Sequence, residues 1–180
     1  MTQAESIYEF GKWVETKTID IIRDKYGLRE FKQTDDMYSR IDGIIFHNNK
    51  LTPIQVKTRS PRIYFKDISI SLKQFEVYRN IAKLNGKYIC FMICDTYNPA
   101  LEFDYAVYVF DFGTIKQIGG KTTGGDGVER VYFKMSDMKK LDILPIEFQK
   151  ELERKHIELI RPHIDKQYIS ACKTKFKENE

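Results

Sequence analysis

RIDGIIFHNNKLTPIQVKTR, residues 40–59, decides the fold, because its strand register can be derived by counting outward from the turn. Two apolar-rich runs, 40–46 and 51–57, flank His47-Asn48-Asn49-Lys50, and adjacent asparagines tolerate the positive φ that a tight hairpin turn requires. Centring the turn on Asn48 and Asn49 sets 47 opposite 50, 44 opposite 53 and 42 opposite 55. The closing pair of a two-residue hairpin is hydrogen-bonded and the types then alternate, which makes 44/53 and 42/55 non-hydrogen-bonded pairs. Pro53, which has no N–H to donate, falls where none is needed. Partners of this type have Cα atoms about 4.5 Å apart and side chains on one face. The Asp42 carboxylate and the Gln55 amide oxygen can therefore share a cation, with Lys57 projecting from the same face and Ile54 and Val56 turned to apolar packing.

Outward from the hairpin, Ile7, Phe10, Val14, Thr18, Ile21 and Ile22 recur at helical steps from Ser6 to about Tyr26, and Gly27 supplies the stop. After the hairpin, DISISLKQFEVYRNIAKLNG passes from a short extended segment into a second helix, with Leu72, Phe75, Tyr78, Ile81, Ala82 and Leu84 on one side and Gly86 at its end. KYICFMICDTY reads as a buried strand and DYAVYVFDF (104–112) as another. QIGGKTTGGDGVER reads as a glycine-rich loop leading to VYFKM, and the chain from about Ser136 as amphipathic helix interrupted at Pro145 and Pro162. No repeat or linker divides residues 1–180, so one α/β domain is expected, with a central mixed β-sheet flanked by helices.

The 42% hydrophobic and 31% charged composition, with only 10 Gly and 5 Pro, excludes collagen-like, low-complexity and disordered classes. No run approaches the roughly 18 apolar residues that cross a bilayer, and the start MTQAESIYEF lacks the pattern of a signal peptide, so no membrane role and a cytoplasmic location are expected. Cys90 and Cys94, inside the run YICFMIC, read as buried thiols. Two motifs fail on inspection. GGKTT lacks the earlier glycine of a phosphate-binding loop, because Ile115 stands there. His156-x-Glu158 lacks the downstream cysteine pair of a zinc deaminase, and both His156 and His163 read as surface residues.

Magnesium takes oxygen ligands in octahedral geometry at about 2.0–2.1 Å. Asp42, the Gln55 amide oxygen and the Val56 carbonyl supply such a set, and Lys57 beside them can position an attacking water and screen charge at phosphorus. With Asp42 as the aspartate and Gln55-Val56-Lys57 as the second element, the chain resembles the PD-(D/E)xK nuclease superfamily in its Q-x-K variant, as in Mrr-type restriction nucleases and small homing endonucleases of that superfamily. Ile41 stands where the motif's proline would be. Upstream, Gly11-Lys12-Trp13-Val14-Glu15 is similar to the superfamily's G-x-x-x-E helix, which implies Glu15 as a further acid, with Glu9 on the same helix as the other candidate.

The resemblance covers about residues 5–95 as a nuclease core, leaving 96–180 as additional strands and basic C-terminal helices. It implies a restriction-endonuclease-like fold and a magnesium-dependent endonuclease of the homing or restriction type, manganese substituting. A Holliday junction resolvase and a non-catalytic nucleic-acid-binding module that keeps the fold are the alternatives. Double-stranded DNA is the expected partner, and a two-strand cut by one site per chain implies a homodimer or higher homo-oligomer. The mildly basic net charge of +4 permits a phosphate-rich partner. Lys57-Thr58-Arg59-Ser60-Pro61-Arg62-Ile63-Tyr64-Phe65-Lys66 has no acid and two aromatics, and Arg59, Arg62, Tyr64 and Lys66 are its candidate DNA contacts. Lys166 to Lys177 is a second basic stretch, and the loop Gly119 to Gly127 is a candidate for entering a groove.

Overall fold

The computed structural model describes residues 2–27, 29–30, 41–47, 49–59, 67–97, 103–123 and 127–160. Helix α1 spans Gln3–Tyr26 and is bounded by local chemistry at both ends. Thr2 and Glu5 form a reciprocal capping box that the apolar spacing does not reveal, and Gly27 ends the helix at φ 65°, a left-handed conformation that glycine adopts without strain. Strands β1 (Arg29–Glu30), β2 (Gly43–His47) and β3 (Lys50–Arg59) follow, then β4 (Asp67–Ser71), helix α2 (Leu72–Asn85), β5 (Ile89–Tyr97) and β6 (Phe103–Asp111). The chain continues through β7 (Ile118–Thr123), β8 (Glu129–Lys134), a 3-10 turn (Met135–Asp137), β9 (Lys139–Leu141) and helix α3 (Ile146–Leu159).

The protein is α/β, with a mixed central sheet in the order β1-β2-β3-β5-β6-β9 and a second, antiparallel sheet in the order β4-β8-β7. Only β3 and β5 run parallel among the paired strands described; the segment between them supplies β4 and α2. The hairpin register is the one counted from the turn, with His47 opposite Lys50 and Ile44 opposite Pro53, and Asn49 takes φ 59°. Strand β5 reads as a continuous apolar run because both its faces are covered. Ile89, Phe91 and Ile93 join Ile54, Val56, Phe10, Val14 and Leu152 in the core under α1 and α3. Cys90, Met92 and Cys94 join Phe75, Tyr78, Ile68, Ile70 and Phe133 in the core under α2 and the second sheet, and both cysteines are buried.

Four expectations are corrected. The glycine-rich segment is not simply a loop: Ile118–Thr123 pairs with β8, across a register irregularity between Ile118 and Thr122, with Gly119 at φ 62°. The edge position tolerates the poor strand propensity of its glycines. Residues 138–144 are not helical, because Lys139–Leu141 completes the edge of the central sheet against Val107–Val109. Leu84 is exposed, its position falling outside the stripe of Leu72, Phe75, Tyr78 and Ala82. His156 is 1% exposed, since it continues the four-residue spacing of Phe148 and Leu152 on the inward face of α3 and packs edge-on against Phe10 at 5.6 Å. Among the described residues, no helix is long and apolar enough to cross a membrane.

Candidate active site

Strand β3 outruns its hairpin partner. Regular pairing with β2 ends at Gly43 opposite Ile54, while β3 continues through Arg59 alongside β5. In a strand, alternate residues direct their N–H and C=O groups to the same side, so beyond Ile54 the backbone groups of Val56 and Thr58 face the side on which β2 lies, past the last described pair of β2. A backbone donor buried without an acceptor costs about 1–3 kcal/mol, and here two carboxylates supply the acceptors. Asp42 Oδ2 accepts from the Val56 N–H at 2.6 Å, and Glu15 Oε1 accepts from the Thr58 N–H at 3.2 Å. The two amides are about 7 Å apart along the strand, and the Val56 carbonyl lies on the same edge between them.

Each acid is delivered by its own element. The Asp42 N–H donates to the Ile54 carbonyl at 3.0 Å, which fixes the residue at the strand end. Helix α1 buries Val14 and Thr18 against the sheet, which brings the intervening Glu15 to the strand edge, while Glu9 is exposed on the same helix. The helical acid at β3 is therefore Glu15. Burial raises the Asp42 carboxyl above its ordinary value, opposed by the Val56 N–H and by the positive charge of Lys57.

Gln55 and Lys57 share the face of β3 that looks toward α2. Gln55 is only 1% exposed, so it is an interior group and not a strand residue facing solvent. Its Nε2 donates to Asp42 Oδ2 and, at a long 3.5 Å, to the Val56 carbonyl, while its Oε1 accepts from the Tyr88 hydroxyl at 2.7 Å. The amide nitrogen thus faces Asp42, where the sequence reading had placed the oxygen. Lys57 lies against the Tyr78 hydroxyl. Burial raises the Tyr78 phenol, and Lys57, by charge and by hydrogen bond, opposes that rise. Burial also pushes the Tyr88 phenol far above its usual range, so it remains a donor.

Tyr78 and Tyr88 are the site residues that sequence reasoning missed as such. The in-register parallel pairing of Gln55 with Cys90 sets Tyr88 just before β5 on the same side as Gln55, and the ring of Tyr78 on α2 meets that of Tyr88 at 5.5 Å. A parallel pairing across a long crossover leaves no local signal comparable to a hairpin turn. Of the candidate DNA contacts, Arg59 ends β3, and Arg62, Tyr64 and Lys66 lie outside the described residues, as does Lys166 to Lys177.

The donor set suits a hard divalent cation. Asp42 Oδ2 and the Val56 carbonyl both contact one Gln55 amide nitrogen, so they converge on a single point, and the Glu15 carboxylate lies farther along the same edge. No protein-family model matches the chain, and no curated protein matches it.

Proposed function

We propose that this chain is a magnesium-dependent DNA endonuclease with a restriction-endonuclease-like core, of the Q-x-K type of the PD-(D/E)xK superfamily. The observation that carries the reading is the edge of β3, where Asp42 and Glu15 bracket the Val56 carbonyl while Gln55 and Lys57 project beside them. Asp42, the Val56 carbonyl, Gln55 and Glu15 would hold magnesium, with manganese as substitute. Bound there, the cation supplies Lewis-acid polarisation of the scissile phosphate.

The chain's own residues do the remaining work. Lys57, steadied by Tyr78, presents an ammonium that orients the attacking water and stabilises negative charge as it develops on the phosphate. Glu15 is placed to accept a proton or hold a water at the same edge. The basic residues Arg59, Arg62 and Lys66, with Tyr64, follow directly from the active strand and are read as contacts to the duplex backbone. A double-strand cut requires two such sites, which calls for a homodimer or higher homo-oligomer.

A second reading, a nucleic-acid-binding module without cleavage, is favoured by the Gln55 amide, which presents its nitrogen and not its oxygen to Asp42. Purified protein incubated with supercoiled plasmid and with a branched junction, in magnesium or EDTA, decides between them. Magnesium-dependent cleavage that disappears in Asp42→Asn supports the nuclease, and preference for the junction identifies a resolvase. Duplex binding that weakens from about 50 to 200 mM salt, with no cleavage in magnesium or manganese, establishes the module instead.

A further inference from the structure

Both ends of the Gln55 amide are engaged by the protein itself. The NH2 group stands between Asp42 Oδ2 and the Val56 carbonyl, two of the oxygens a cation would use, and the amide oxygen is turned away to the Tyr88 hydroxyl. Rotating the amide by half a turn exchanges its ends. The oxygen then joins Asp42 and Val56 in a set of three oxygens, and the NH2 meets Tyr88. A phenol oxygen can accept as well as donate, so one hydrogen bond is kept, but the Tyr88 hydroxyl proton gives up the acceptor it uses here. Tyr88 has little freedom to follow the amide. It is 0% exposed, its N–H donates to Asp111 Oδ1 at 3.0 Å, its carbonyl accepts from the Phe112 N–H at 2.9 Å, and its ring packs on Phe112 at 5.3 Å.

We propose that Tyr88 is a positioning residue that holds the Gln55 amide nitrogen-first toward Asp42, so that this NH2 group plugs the cation position until an arriving divalent cation turns the amide over. The inference rests on the reading of Asp42 as a cation ligand. It gives the Gln of the Q-x-K sequence a property that a carboxylate lacks, since a carboxylate has two equivalent oxygens and nothing to turn.

Tyr88→Phe keeps the ring and removes the donor. Two measurements test the inference. In the metal-free protein, the Gln55 side-chain amide protons, assigned by their absence in Gln55→Glu, exchange with solvent up to about tenfold faster in Tyr88→Phe, because an amide released at its oxygen turns away from Asp42 more often. Calorimetric titration with manganese shows binding tightened by about three- to tenfold in Tyr88→Phe, whereas the same substitution in the Gln55→Glu background changes affinity less than about threefold. Unchanged exchange, or manganese bound equally by wild type and Tyr88→Phe, overturns the inference alone. Manganese bound by neither wild type, Tyr88→Phe nor Gln55→Glu overturns it together with the reading of the site.

Discussion

Replacing Asp42 by Asn and by Ala separates what its charge does for function from what its oxygen does for the fold. One atom, Oδ2, accepts from both the Val56 N–H and the Gln55 amide. An asparagine carries one such oxygen and can reproduce both bonds, while removing a charge whose burial is unfavourable. Alanine leaves two donors without their acceptor at about 1–3 kcal/mol each, reduced where the Gln55 amide still reaches the Val56 carbonyl. In EDTA at neutral pH, Asp42→Ala is therefore expected to lose about 2–3 kcal/mol, and Asp42→Asn to match or exceed wild type. The pH dependence carries a sign. The folded carboxyl titrates above its ordinary 3.8. Its contribution is then fully present below the unfolded value and is lost as pH rises through the raised folded value. The difference between Asp42→Asn and wild type moves in favour of Asn as pH rises from about 3 toward neutral. Urea unfolding at several pH values, with cleavage measured alongside, checks both. Equal destabilisation by Asn and Ala at neutral pH would refute the argument that the fold needs only the oxygen.

Three further outcomes are expected. Lys57→Ala loses cleavage by about 10²-fold or more while retaining duplex binding, measured by plasmid nicking beside a mobility-shift titration; equal loss of both would make Lys57 a binding residue. Glu15→Gln keeps an acceptor for the Thr58 N–H and so changes stability by less than about 1 kcal/mol, yet weakens manganese binding by calorimetry; unchanged affinity would remove Glu15 from the ligand set. Asp111→Ala deprives the N–H groups of Tyr88 and Gly113 of their common acceptor and costs about 2–4 kcal/mol in urea unfolding. A cost under about 0.5 kcal/mol, within the range of ordinary surface substitutions, would show that the Asp111 turn does not hold Tyr88.

What the sequence discloses follows the range of the interactions involved. The hairpin register from 43/54 to 47/50 is legible because it can be counted from its own turn, with Pro53 as an internal check; it stops one pair short of Asp42 and Gln55, which meet through their side chains. Helix α1 is legible from apolar spacing and Gly27, which carry no trace of its Thr2–Glu5 capping box. Its rotation, which brings Glu15 and not Glu9 to β3, depends on packing across the sheet. Contacts between distant segments carry no such signal. The edge strand β9, the β7–β8 pair, the burial of His156 and the placement of Tyr78 and Tyr88 all arise from such contacts.

The overhang of β3 explains why these residues meet at all. Past the last described β2 pair, the Val56 and Thr58 N–H groups take carboxylate acceptors in place of strand partners. By running past Gly43, β3 exposes two amides and a carbonyl on one side, and any side chains recruited to satisfy the amides must bring acceptors to that carbonyl. Capping the amides and gathering oxygens for a cation are thus met by the same geometry. Satisfying the amides alone would be achieved as well by neutral acceptors. Two carboxylates, one of them held against its desolvation cost, are what the proposed cation site would require of this edge, and the Asp42→Asn and Glu15→Gln measurements separate that requirement from amide capping alone.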